Sequence, residues 1–192
     1  MKNILFIPIL VLFNFLSFCS IGQSTWNLDS NHSQLRFSIA MLNVSDIEGT
    51  FKIKTATITA TKEDFTDASL NMQADTKTIN TGVEQRDNHL RTADFFDAEK
   101  YPTISFKSTQ FKKLSEGTYK VTGDLSMHGI TKPVTLDATA KIIQHPVTKK
   151  TMAGFRVSGT INRIDFAVSP ATPADMLSNE VEIRANVQFE KK

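Results

Sequence analysis

The run Thr78-Ile-Asn-Thr-Gly-Val-Glu-Gln-Arg-Asp-Asn-His-Leu-Arg-Thr-Ala-Asp-Phe-Phe-Asp-Ala-Glu-Lys-Tyr-Pro-Thr-Ile-Ser-Phe-Lys-Ser108 interrupts a chain that otherwise alternates between apolar and polar residues. Only here do charges, aromatics and helix signals crowd together. Thr81 followed three residues later by Glu84 has the form of a capping box, which predicts a short helix starting there and carrying Arg86, Asp87, His89 and Arg91. Tyr101-Pro102 then returns the chain to an extended form. At helical spacing Val83, Asp87 and Leu90 share one face with Arg86 at its flank, so an acid and a base lie beside the apolar contacts expected to dock the helix.

On either side of this run the period is two. Leu35, Phe37 and Ile39 alternate with polar residues, as do Leu70, Met72 and Ala74, and Tyr119, Val121 and Leu125 keep one phase through Gly123. The pattern returns in Val134 to Ile142, in Phe155, Val157, Gly159 and Ile161, and in Val181, Ile183, Ala185, Val187 and Phe189. Each is a strand wet on one face and apolar on the other. With Phe51 and Ile53 opening another and Ile104 and Phe106 another, about eight strands are expected, parted by turn segments such as Ser115-Glu116-Gly117 and His145-Pro146. Alternation puts one face of each strand inside whether the sheet closes into a barrel or stacks as a sandwich, and leaves that choice open.

The ends and composition narrow the function. Met1-Lys2-Asn3, an almost wholly apolar run from Ile4 to Phe18, and Ser20-Ile21-Gly22 before Gln23 read as a secretory signal peptide over residues 1–22, cut after Gly22. The run is interrupted by Pro8 and falls short of the roughly 20 residues of a spanning helix, so stable membrane insertion is not expected and the mature chain is expected to be soluble. A lipoprotein anchored through Cys19 is the weaker alternative, because Phe18 stands where a small residue belongs. Without the leader, residues 23–192 form one expected domain of net charge +1, since Lys2 leaves and no acid does. That balance gives no bulk attraction for nucleic acid or anionic membrane. The single cysteine leaves too, removing disulfides, thiolate nucleophiles and cysteine-ligated metals.

The segments Arg86-Asp87-Asn88-His89-Leu90-Arg91, Asp94-Phe95-Phe96-Asp97 and Tyr101-Pro102-Thr103-Ile104-Ser105-Phe106 resemble the signature of the YceI-like family, lipocalin-like bacterial proteins that bind polyisoprenoids. Four further segments agree in order: Trp26-Asn27-Leu28-Asp29 with His32-Ser33, Glu48-Gly49-Thr50-Phe51, Leu125 to Val134, and Asn162-Arg163-Ile164-Asp165-Phe166. Ala167 departs from the pattern, standing where the family usually has Gly. The resemblance implies an all-β fold, an extended antiparallel lipocalin-like barrel of about eight strands with one short helix.

Two classes of function are compatible with this composition. No two of His32, His89, His128 and His145 are spaced as a metal pair, and no nucleophile elbow, phosphate loop or dinucleotide fingerprint is present, so no metal, cofactor or catalytic residue is assigned. His32 and His128 read as strand-end residues hydrogen-bonding backbone, and Asp87 and His89, two apart on a helix, cannot form a relay. A binding protein for a long apolar lipid, a quinone or prenyl phosphate held in the periplasm or secreted for transport or storage, is the reading the resemblance implies. Its apolar lining would be Leu35, Phe37, Phe51, Ile53, Leu70, Met72, Ile104, Phe106, Val121, Leu125, Phe155, Val157, Ile183, Val187 and Phe189. The same residues also describe a barrel packed solid. Arg86, Asp87, His89 and Arg91 would either meet a ligand head group or pair structurally, Arg86 with Asp87 and elsewhere Arg163 with Asp165. Phe95 and Phe96 would gate the cavity or plug the core, and Met176-Leu177 would cover an opening. The alternative from another class is a lipid-modifying enzyme or accessory factor acting on a bound head group, and a homodimer is compatible with either.

Overall fold

The computed structural model describes residues 22–192, so the expected leader, including Cys19, lies outside the described residues apart from Gly22. Eight antiparallel strands follow in order around a closed barrel: β1 (Ser24–Met41), β2 (Ser45–Ala60), β3 (Ser69–Asn80), β4 (Thr103–Ser115), β5 (Thr118–Met127), β6 (Ile130–Gln144), β7 (Thr151–Asn162) and β8 (Leu177–Lys191), the last pairing back onto β1. One helix, α1 (Glu84–Leu90), sits between β3 and β4, and a 3-10 turn (Arg163–Phe166) follows β7. The fold expected from the resemblance is the fold found. With 18 residues in β1 and 16 in β2, the longest strands exceed the usual length of roughly 3–10, and the barrel is extended accordingly.

Strict parity does not run the length of these strands. The inward set of β1 changes from even numbers at Trp26 and Leu28 to odd ones at Leu35 and Phe37, where the pairing with β2 breaks between Asn27 and Leu35. The β2 set changes between Ile53 and Ala56, and that of β4 between Ser108 and Phe111, each at a register shift. A bulge inserts an unpaired residue and turns the following side chains to the other face. In two places a ring packs over a strand glycine. A Cβ on Gly49 would lie 2.4 Å from the Phe37 ring, which would have to move, and one on Gly123 would lie 2.5 Å from both the Phe106 ring and the Lys107 carbonyl.

The two barrel ends differ. At one, the β2–β3 loop and the β4–β5 and β6–β7 turns cover a packed floor in which Trp26, Ile58, Phe65, Tyr119 and Phe189 are each no more than 3% exposed. At the other, α1, the β1–β2 and β5–β6 turns and the long β7–β8 connection surround an opening. Ala167 lies in that connection, capping the 3-10 turn at φ 52° and ψ 31°, the left-handed region that glycine tolerates best. This is the physical reason for glycine at that position of the family pattern. Ala167→Gly removes a left-handed cost of roughly 1–2 kcal/mol and adds unfolded-state entropy of roughly 0.4–1 kcal/mol, so a net gain of about 0.5–1 kcal/mol is expected. A denaturant midpoint that rises without a change in slope would show it.

Candidate functional site

Inside the barrel, above the floor, lies a cavity of about 780 Å³. All fifteen side chains named from the alternation border it. Phe37, Leu70, Met72, Leu125, Val157, Ile183 and Val187 point inward yet are only half buried, whereas Phe155 and Phe189 at the floor are closed in. Inward apolar side chains that keep exposed surface face empty space, which separates this barrel from one packed solid. The lining expected from the sequence left out Ala56, Ile58, Phe111, Ala138 and Ala185, which also line the cavity. Ala56, Ile58 and Phe111 follow the parity changes, and Ala138 and Ala185 are too small to signal a wall residue strongly.

At the mouth, α1 and the turn after it contribute Arg86, His89, Leu90, Asp94, Phe95 and Phe96, the β7–β8 connection contributes Ser169, Pro170 and Met176, and β8 adds its first residue, Leu177. Phe96 stands edge-on to Phe51 at 5.4 Å, and Phe51 lies 5.6 Å from Phe37, so aromatic packing continues from the wall to the rim. His89 approaches Asp94 at 3.1 Å and the Phe95 ring at 5.1 Å.

The four polar helix residues separate into two roles. Asp87 is buried and its Oδ1 accepts from both the Thr81 N–H (2.8 Å) and the Thr81 hydroxyl (2.6 Å). Arg91 donates from Nε to the Lys77 carbonyl, from Nη2 to the Ile79 carbonyl and from Nη1 to Asn88, each at 2.8 Å. Both therefore tie α1 to the end of β3, and neither borders the cavity. Arg86 and His89 do border it. Arg86 spends its Nε on the Thr81 hydroxyl (2.7 Å) and one Nη2 N–H on the Thr81 carbonyl (3.0 Å), so the expected Arg86–Asp87 ion pair is replaced by separate bonds to Thr81.

The capping box is likewise corrected. The helix starts at Glu84 behind Val83, without a side-chain cap, because Gly82 at φ 78° sets Thr81 outside the first turn, where Asp87 takes its N–H instead. Val83 is 47% exposed and docks nothing, leaving Leu90 as the apolar contact. Asp87→Asn keeps the shape and weakens two charge-assisted bonds. An expected cost of about 1.5–3 kcal/mol should appear as a lower melting temperature, with binding below the transition preserved.

The second corrected pair is Arg163 with Asp165. Asp165 is exposed, and Arg163, 2% exposed, directs its guanidinium only at carbonyls: Ser178 (2.9 Å), Val168 (3.1 Å), Thr172 (2.7 Å), Leu177 (3.0 Å) and Ser169. All five N–H groups are used. Burial pulls its pKa below the ordinary arginine value. The β7–β8 connection is thus wrapped around one side chain. His128 does bond backbone, its Nδ1 lying 3.1 Å from the Phe166 carbonyl, but His32 instead lies 2.8 Å from the Asp29 carboxylate, which it holds below the usual carboxylate range. Among the described residues no three His, Cys, Asp or Glu side chains gather as a metal site, and no helix is long and apolar enough to cross a membrane.

The model of the YceI-like domain matches residues 26–189, which is nearly all of the barrel. The chain belongs to the YceI-like family. Protein YceI of Escherichia coli is 36% identical over 163 residues, covering 83% of this chain and 82% of that protein. The YceI-like barrel also superposes on the crystal structure of the Campylobacter jejuni YceI protein with a TM-score of 0.70 and 28% identity, over 78% of this chain and 87% of the other. A polyisoprenoid-binding domain from Saccharophagus degradans implicated in plant cell wall breakdown gives a TM-score of 0.64 over 87% of this chain and 98% of that domain. At 14% identity that likeness concerns the fold alone.

Proposed function

We propose that this YceI-like chain binds one long apolar lipid, a polyisoprenoid carried as a quinone or prenyl phosphate, and transports or stores it in the periplasm or after secretion. The observation that carries the reading is the 780 Å³ cavity whose apolar wall residues remain half exposed. Family membership and the polyisoprenoid-binding domain of similar fold support it. Burial is worth about 25 cal/mol per Å², so a prenyl chain covering several hundred Å² gains on the order of 10 kcal/mol before ordering costs. The polar head then sits at the mouth beside Arg86, which keeps guanidinium N–H groups beyond those bound to Thr81, and His89.

The test is mass spectrometry of the organic extract from protein produced with its leader and purified without detergent, against an unrelated secreted protein prepared alongside. One enriched prenyl species near one per chain is expected. An extract still empty after lipid mixtures are offered would sink the reading, and a bound lipid chemically altered on long incubation would favour the enzyme.

A further inference from the structure

The cavity floor is completed by a loop rather than by the barrel wall. Between β2 and β3 the polar run Lys62-Glu63-Asp64-Phe65-Thr66-Asp67 contains one large apolar residue, and Phe65 is turned into the barrel end with 1% of its surface exposed. Its ring meets Phe155 edge-on at 5.1 Å and lies 5.4 Å from Trp26. Phe155 borders the cavity and Phe65 does not, so Phe65 backs the floor from below.

Phe65 also has φ 56°, a left-handed conformation that bulky residues avoid. Such a residue persists where its surroundings over-determine it. Here they do. The Asp64 carbonyl accepts from the Tyr119 hydroxyl at 2.8 Å, and the Asp64 carboxylate meets Lys113 at 3.2 Å and the Thr66 hydroxyl at 2.8 Å. Asp67 accepts from the Thr61 hydroxyl and N–H and from the Lys62 N–H. The Thr66 hydroxyl and N–H, with Lys113 adding to them, bring the Asp64 pKa down to about 2, so this anchor is ionised at any ordinary pH. Two anchored aspartates flank a strained, buried phenylalanine in a loop whose only other apolar side chain is the small Ala68.

We propose that Phe65 is the stop that limits how long a chain the cavity accepts, which makes it a specificity-determining residue of the proposed lipid site. The inference rests on the lipid-binding reading above. An eight-stranded barrel is open at both ends unless something fills them. With the ring removed, the space between Phe155 and Trp26 extends the cavity along the barrel axis, and longer chains enter it.

The experiment compares the wild type with Phe65→Ala, Phe65→Leu and Phe95→Ala across a graded length series of polyprenols, by competition with a fluorescent apolar probe. Circular dichroism and melting curves establish that each protein is folded. Wild-type affinity rises with each isoprene unit and then levels off. In Phe65→Ala the plateau moves to longer chains by at least one unit, and in Phe65→Leu, which keeps an apolar plug should alanine prevent folding, it moves less in the same direction. Phe95→Ala, at the mouth, weakens all lengths and leaves the plateau where it was. A wild type that binds, with its plateau unmoved by either folded substitution of Phe65, overturns the stop alone. A wild type that binds no polyprenol of any length overturns the lipid reading and the stop with it.

Discussion

Arg163→Lys is expected to lower the melting temperature by about 10 °C, from a cost near 3 kcal/mol at roughly 2–4 °C per kcal/mol for a domain of this size. The arginine is 2% exposed and satisfies five backbone carbonyls with five N–H groups held in one planar fork. Lysine keeps the charge but offers three donors from a single point, so at least two carbonyls lose their partner and the others are met with poorer geometry. Each carbonyl left buried without a donor costs roughly 1–3 kcal/mol, while water reaching the connection from its exposed side at Pro170, Ala171 and Pro173 lessens the sum. Relief of the guanidinium's own desolvation does not rescue the variant, because the ammonium must be desolvated in its place. The damage should be local before it is global. Amides such as Val168, whose N–H bonds the Arg163 carbonyl at 3.1 Å, should exchange hydrogen faster than those of the barrel strands. Calorimetry and hydrogen exchange together decide the matter, and an unchanged melting temperature would refute the hub role.

That hub was not legible in the sequence, and the reason is general. Carbonyls are present at every residue, so no pattern marks the five that Arg163 uses, and the nearby Asp165 offered a plausible but wrong partner. The strands were legible because parity is a local property. Leu35, Phe37 and Ile39, or Val181 through Phe189, need only face alternately in and out to declare themselves. The bulges were not, because the pairing with a neighbouring strand places them. The alternation therefore stopped at Ile53 and missed Ala56 and Ile58, which continue the same strand in the other phase. Closure into a barrel came only from the family resemblance. Around α1 the residue types were informative and their roles were not: the spacing paired Thr81 with Glu84 and Arg86 with Asp87, but Gly82 at positive φ places Thr81 where both Arg86 and Asp87 bind it rather than each other. Phe65 did carry a signal, as a lone aromatic in a polar loop, and that signal becomes interpretable once its ring is seen beneath Phe155.

Ala185→Phe should separate binding from stability in the opposite sense. Ala185 lies on β8 between Leu35 of β1 and Val157 of β7, points inward, and is half buried because it borders the cavity. Adding bulk to a packed core costs roughly 1–3 kcal/mol, since neighbours must move off their rotamers. Here the ring enters open space lined by apolar side chains, so the same substitution is expected to leave the melting temperature unchanged or raise it slightly. For a bound chain the consequence is severe. A phenyl group and a prenyl segment cannot share one volume, and losing about 100–150 Å² of buried ligand surface at about 25 cal/mol per Å² amounts to roughly 2.5–4 kcal/mol, a loss of affinity of about 60- to 700-fold. Titration with a polyprenol, read beside a melting curve, gives the answer. Affinity that survives in the folded variant would place the ligand outside this cavity. Affinity that collapses at unchanged stability, set against an Arg163→Lys protein that melts early yet binds below its transition, would assign capacity to the barrel wall and the integrity of the mouth to one arginine.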